Sequence, residues 1–402
     1  VRAGTREPIH ESPAFTPRKT DNFPWEVIML SSRIRRWTSI VALASIACCA
    51  AGFAQAAGDE PFLDRFSAVK LVASTVPANG DVNPYGIAVV HRSIGELHRG
   101  HVLVSNFNNS ANLQGTGTTI VQLAPDGSTS VFAHLDSAGI ASSCPGGIGL
   151  TTALSILDSG WVVVGSLPSP TGQSANAGAG CLLVIDKDGH FAESLVGDGI
   201  NGPWDMTAFD DGDQAALFVT NVLNGNVTKG SPHVVDEGTV IRIDLALPDM
   251  PGGIPRRIST TIIGSGFAQT ADPNALVIGP TGLALSWDGT LYLADSLGNR
   301  IAAIPDALTR RSSASTGRTV SQGGALNDPL GLAAAPNGNL IAANGADGNL
   351  VEVSPGGKQV AVKTVETAFG AGSLFGLAIE PHGRGIYFVD DGDNTVKKFT
   401  SP

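Results

Sequence analysis

Three groups of side chains in this 402-residue sequence have the types and spacing to do chemistry. The first centres on Asp205, in the stretch NGPWDMTAF, where Asn201 and Trp204 precede a lone carboxylate in a largely apolar run. Beside a cavity such a carboxylate can hold a metal or act as a base; salt-bridged, it would be inert. The second is a series of polar residues that end Val- and Leu-rich segments: Asn106, Ser166, Asn221, Asp295, Asn344 and Asp390. If those segments are equivalent, their oxygens form a ring suited to a hard divalent cation, calcium or magnesium, with Asp205, Asp295 and Asp390 as carboxylate ligands. The competing reading is that each side chain caps its own turn by accepting backbone N–H groups. The third is His233 with Asp236 and Glu237, which has metal-ligand chemistry but no recognised ligand spacing; a solvated loop explains it as well.

These residues need elements to position them. The stretch 280–304, PTGLALSWDGTLYLADSLGNRIAAI, reads as strand, turn, strand, turn, strand. Its opening pattern, Pro-x-Gly-Leu-Ala, recurs with variations near residues 83, 145, 203, 280, 329 and 374, and each copy is followed by two more strand-like segments. Units of this size cannot bury both faces alone, and four-stranded units stacked radially make the blades of a propeller. The expected fold is therefore all-β: a six-bladed β-propeller of four-stranded antiparallel blades. The sixth copy supplies only three strands, and residues 66–75, FSAVKLVAST, are expected to close the ring from the N-terminal side.

On this frame, the second strands' ends and the third strands' starts lie at one face of the disc. The links between them are short in blades four to six (SLGN, GADG, DGDN) and long in blades one to three, at 107–117, 167–180 and 222–238. A lopsided rim of polar loops on a regular scaffold is a place to expect a ligand. Asn106, Asn201, Trp204, Asp205, Asn221, His233 and Glu237 are the candidate binding residues there. In the first strands, Asp205 stands where Gly86, Gly147, Gly282, Gly331 and Gly376 stand in the other copies. Cys144 and Cys181 fall at the same face and are expected to form a disulfide.

The last three units, PTGLALSWDGTLYLADSLGNRI, PLGLAAAPNGNLIAANGADGNLVEV and FGLAIEPHGRGIYFVDDGDNTVKKF, resemble the NHL repeat and, more loosely, the six-bladed gluconolactonase-like and streptogramin-lyase-like propellers. The lactonase resemblance implies one divalent cation held in the channel by a Glu, an Asn and an Asp. Here the EGP motif of the first blade is missing, and the NGL motif that supplies the Asn reads Thr281-Gly282-Leu283. The lyase resemblance implies a His and Glu pair beside magnesium, and no pair in this chain maps onto it. No GxSxG, HExxH or phosphate-binding GxxxxGK[ST] motif is present. The leading expectation is a binding module that meets a peptide, glycan or envelope protein through the loop-rich face. The alternative is a metal-dependent lactonase, hydrolase or lyase at the channel mouth.

Composition sets outer limits. A formal net charge of −11 gives no support to nucleic-acid binding. Residues 33–56 carry three Arg, an apolar run and Ala-Gln-Ala, the layout of a secretory signal cut after Ala56. We therefore expect a disordered leader at 1–28, a signal peptide at 29–56 and a propeller at 57–402. The mature protein is expected to be exported, monomeric and without a retained membrane span.

Overall fold

Short apolar segments separated by Gly-, Asn- and Asp-bearing turns pair into six antiparallel sheets arranged as a ring. The computed structural model describes residues 60–135, 138–222, 224, 233–248, 252–272 and 275–402. The leader and signal expected at 1–56 lie outside these residues. Among the described residues, no helix is long and apolar enough to cross a membrane.

Each sheet is a blade, and its first strand is innermost. The six first strands are Val82–Val89, Leu154–Ile156, Pro203–Asp210, Pro280–Leu285, Pro329–Ala334 and Leu374–Ile379. Each pairs only with the second strand of its own blade, so one edge of every first strand faces the central axis. The sixth blade takes its fourth strand from the N-terminal side: Ala68–Ser74 runs antiparallel to Thr395–Thr400, with Ala68 opposite Thr400 and Ser74 opposite Thr395. A buried carboxylate helps hold that segment. Glu352 Oε1 and Oε2 accept the backbone N–H groups of Phe62 and Leu63, each at 2.8 Å, while Asn337 and Asn339 donate to Oε1. Phe62, Leu63 and Phe66 then bury against Ile386, Phe388 and Phe399.

The core lies between blades. Leu103 and Ile120 of blade one pack on Leu154, Val164 and Leu183 of blade two, and equivalent clusters join the other neighbours. The alternation of strand side chains produces this, since each blade offers one face to each neighbour.

Blade two departs from its expected register. Its first strand is Leu154–Ile156 and not the PGGIGL stretch at 145–150. A helix at Ala138–Ser143 and a turn through Gly147, whose φ is +75°, occupy the chain before it. Gly147 is therefore no counterpart of Gly86. Blade three is the irregular one, with a 17-residue fourth strand, Arg256–Asp272, and a short fifth, Leu276–Ile278.

Candidate functional site

Aligning the blades by their strand pairing puts Pro84, Pro203, Pro280, Pro329 and Leu374 opposite Asn106, Asn221, Asp295, Asn344 and Asp390. Two residues further along lie Gly86, Asp205, Gly282, Gly331 and Gly376, with Ala153 in blade two. At this level the blades come closest. A Cβ on Gly282 would stand 2.3 Å from Leu330 O, one on Gly331 2.3 Å from Phe375 O, and one on Gly376 2.2 Å from Tyr85 O. Those glycines are the price of close approach between neighbouring strands.

Blade three is different because its boundary with blade four is filled by side-chain polar groups. Thr220 Oγ1 donates to Thr281 O at 3.0 Å, and Asp205 Oδ2 accepts Leu283 N–H at 3.2 Å across the same boundary. Asp205 Oδ1 accepts Met206 N–H at 2.7 Å. Water can reach the carboxyl from the axis, yet protein surrounds it, and burial raises its pKa to about 7 against the pull of the two N–H groups.

One residue before this level, the axis is shut. Tyr85, Thr152, Trp204, Thr281, Leu330 and Phe375 occupy the equivalent positions. Trp204 Nε1 donates to Tyr85 Oη at 3.0 Å, a bond from blade three to blade one that reaches past blade two. Tyr85 stacks on Phe375 with ring centroids 5.2 Å apart and meets Trp204 edge-on at 5.9 Å. Phe107, Leu167 and Ala177 from the long loops of blades one and two, with Val222 and Leu276–Ile278 of blade three, complete this apolar cluster. Burial and the Asp205 charge push the Tyr85 pKa well above its ordinary value, so the phenol stays neutral.

The long loops are thus spent, at least in part, on covering the seal. Ser174 of the blade-two loop donates to Leu276 O, and Gly172 packs against Leu113 of the blade-one loop. Trp204, expected to contact a ligand, is 2% exposed inside the seal.

Beyond Asp205 the axis opens as a blind shaft of about 410 Å³ toward the opposite face, where the first strands end. Its wall is the inner edge of six strands bearing small side chains such as Ala88, Ser155, Thr207, Ala284 and Ala333. From Gly86 to His91 the wall spans at most roughly 16 Å of extended chain. Among its described lining residues only Tyr85, His91 and Asp205 carry an ionisable side chain. Two residues past Leu285, which lines the shaft, Trp287 stands 94% exposed on its turn.

The polar residues at the second-strand ends serve the blades locally. Asn344 Oδ1 accepts Asn327 N–H, Asn221 Oδ1 accepts Asn201 N–H and Ser166 Oγ accepts Gly149 N–H, each tying down the chain that leads into its own first strand. Asn106 donates instead to Thr75 O, linking blade one to the closing strand. Asp295 is paired with Arg300 at 2.7 Å, and Asp390 with Lys397, which also binds Glu366 and Asp393. Asp205, Asp295 and Asp390 are not brought together. Among the described residues, no group of three or more His, Cys, Asp and Glu side chains could share a metal ion. His233 is exposed on the blade-three loop, whose tip at 223 and 225–232 lies outside the described residues, while Glu237, expected in that loop, is exposed near the start of the third strand, Val235–Ala246. Asn201 is half-buried, its Nδ2 donating to Asn224 Oδ1. Cys144 and Cys181 are joined as a disulfide, Cα–Cα 5.6 Å, buried between blades one and two.

No protein-family model matches the chain, and no curated protein does. Among solved structures, a protein described as a gluconolactonase aligns over 84% of this chain and 94% of its own at TM-score 0.52 and 17% identity. A gluconolactonase from Xanthomonas campestris aligns over 81% and 88% at 0.48 and 17%, and virginiamycin B lyase from Staphylococcus aureus over 83% and 99% at 0.45 and 14%. The first of these likenesses supports the six-bladed propeller, and at such identity it establishes the fold alone.

The divalent cation implied by the lactonase resemblance can be tested against the residues at its position. Where NGL would place an Asn, Thr281 is buried and its Oγ1 is engaged by Ser296 Oγ and Pro329 O. The rest of that level is Tyr, Trp, Leu, Phe and Thr. These side chains do not fit a hard cation, which wants several carboxylate or carbonyl oxygens. Tyr85, Leu330 and Phe375 were not among the sequence candidates. The signal was available in the residue preceding each Gly of the repeat, where aromatic and aliphatic side chains recur.

Proposed function

We propose that this chain is an exported binding propeller that takes its ligand into the shaft, from the face where the first strands end. The observation that carries this reading is the aromatic seal: it fills the loop-rich mouth with Tyr85, Trp204 and Phe375 and leaves one blind cavity on the axis. A cavity of this size, walled by strand edges and small side chains with Asp205 at its inner end, suits a small ligand or one side chain of a peptide. The export half of the proposal rests on the signal-like residues 33–56 and calls for N-terminal sequencing of the secreted form, with Ala57 expected first. Metal-dependent lactone hydrolysis is the competing reading, and the seal's composition speaks against it.

Soaking crystals of the full chain with slender alcohols and amines is expected to place density in the shaft. The partner assay measures hydrolysis of δ-lactones with added calcium, magnesium, manganese or zinc, and is expected to stay at background. Divalent-dependent turnover that survives repurification would overturn the binding reading.

A further inference from the structure

Asp205 differs from the carboxylates that are paired or enclosed within the blades. Asp295 and Asp390 have Arg300 and Lys397, and Asp244 has Arg242. Glu352 and Asp81 lack a cation but are enclosed by four and three donors respectively. Asp205 has two backbone N–H groups, no Lys or Arg against it, and a cavity in front of it. His91, the other charge-capable group of the wall besides the buried Tyr85, lies at the mouth end of the strand.

We infer that the shaft binds a slender alkylammonium group, with the cationic head on the Asp205 carboxylate and the methylene stem along the wall. This rests on the shaft being the ligand site. The wall supplies what such a group needs. Gly86, Gly331, Ala88 and Ala284 have little or no side chain and leave room for the stem along the wall. The inner edges of the first strands have no neighbouring strand, so their carbonyls are open to accept the remaining ammonium protons, apart from those such as Met206 O that already accept a side-chain hydroxyl. A planar guanidinium fits less well, because it wants both carboxylate oxygens side-on and each Asp205 oxygen already accepts an N–H. Trp287, two residues past the wall residue Leu285, offers an exposed indole for cation–π contact, and the net charge of −11 favours cations overall.

The test is calorimetric titration of the full chain with n-hexylammonium and with 1-hexanol, repeated on Asp205→Asn. Hexylammonium is expected to bind at least about tenfold more tightly than hexanol, and Asp205→Asn to remove that difference while hexanol binding stays. Because Asp205→Asn could disturb the blade boundary, Ala88→Leu serves as a second variant; narrowing the shaft is expected to weaken both probes. Hexanol binding with no ammonium preference would sink the inference and leave the shaft reading standing. Binding of neither probe would sink both. Displacement of hexylammonium by stoichiometric magnesium would also overturn the inference, by making Asp205 a metal ligand. Nα-acetyl-lysine methylamide separates the sources: affinity equal to hexylammonium points to a peptide lysine, much weaker affinity to a free amine, and either supports the alkylammonium site.

Discussion

The two ends of the channel are made by the same six strands and end in opposite ways. At the end where the strands begin, Trp204 is 2% exposed, bonded to Tyr85 and packed with Phe107, Leu167, Ala177 and Leu276. At the other end Trp287 is 94% exposed on a four-residue turn with nothing over it. Trp204 lies on the first strand of blade three, and Trp287 follows the first strand of blade four by two residues. What separates them is the chain that covers them: Phe107, Leu167 and Ala177 from the links of blades one and two, with Val222 and Leu276 of blade three, pack over the first, and a tight Asp-Gly turn carries the second. The loop-rich face, where variable sequence invites a functional reading, has used part of its variability to bury an aromatic cluster. The regular face has kept the cavity.

The largest effect should come from breaking the seal. Trp204→Ala removes the indole that spans from blade three to blade one and is expected to cost about 3–5 kcal/mol, the range for deleting a buried aromatic. Urea unfolding checks this. A loss below about 1 kcal/mol would mean that the mouth is covered without Trp204, and the contrast between the ends would fail.

Asp205 sharpens the comparison through pH. Its folded pKa of about 7 lies above the ordinary 3.8, so between about pH 4 and pH 7 the unfolded chain releases this proton while the folded chain keeps it. The folded state then binds more protons, and stability falls as pH rises across that window, reaching a plateau above pH 7. With water reaching the carboxyl from the shaft, the contribution should be about 1–3 kcal/mol. Asp391, raised to about 7, and Asp328, raised to about 6, act in the same direction. The measurement is therefore the difference between wild type and Asp205→Asn across pH 4 to 8. A difference that does not change with pH would show that Asp205 ionises as freely folded as unfolded.

The latches at the sealed end should matter less. Asn344→Ala deletes an acceptor for Asn327 N–H and a donor to Ala325 O, and is expected to cost about 1–2 kcal/mol. Since these side chains position the chain before each first strand, the loss should appear in unfolding and leave shaft binding intact. A loss of hexylammonium binding without loss of stability would give the ring back a functional part.

The repeat made the propeller legible in the sequence, because Pro-x-Gly-Leu-Ala fixes both a strand and a point of close approach. The exception at Asp205 was legible for the same reason. Blade two misled because PGGIGL imitates the pattern, while TTALSI, which forms the strand, carries Ala153 where the pattern wants Gly. The ring at Asn106, Asn221 and Asn344 was visible, but whether an Asn caps a turn or faces a ligand depends on which N–H lies within 3 Å, and spacing does not encode that. The seal was hidden for another reason. Tyr85, Trp204, Leu330 and Phe375 each precede the Gly or Asp of their own repeat, a recurrence the sequence shows, but their meeting on the axis follows from ring closure and is not written in any one repeat.

The smallest expected effect on stability belongs to Trp287, and it divides the two ends most cleanly. With its side chain almost wholly in solvent, Trp287→Ala should change unfolding free energy by no more than about 0.5 kcal/mol, as other exposed substitutions do. Against about 3–5 kcal/mol for Trp204, that gap is the comparison expressed in energy. Binding gives the same residue a second reading. If cations pass the indole on their way to Asp205, its fluorescence should respond to hexylammonium and not to hexanol. Trp287→Ala should then weaken the ammonium by only about two- to fivefold, the scale of an exposed cation–π contact. A substitution that destabilises the fold would place Trp287 in packing and narrow the open end. One that leaves both stability and ammonium affinity unchanged would leave the ligand to Asp205 and the shaft wall alone.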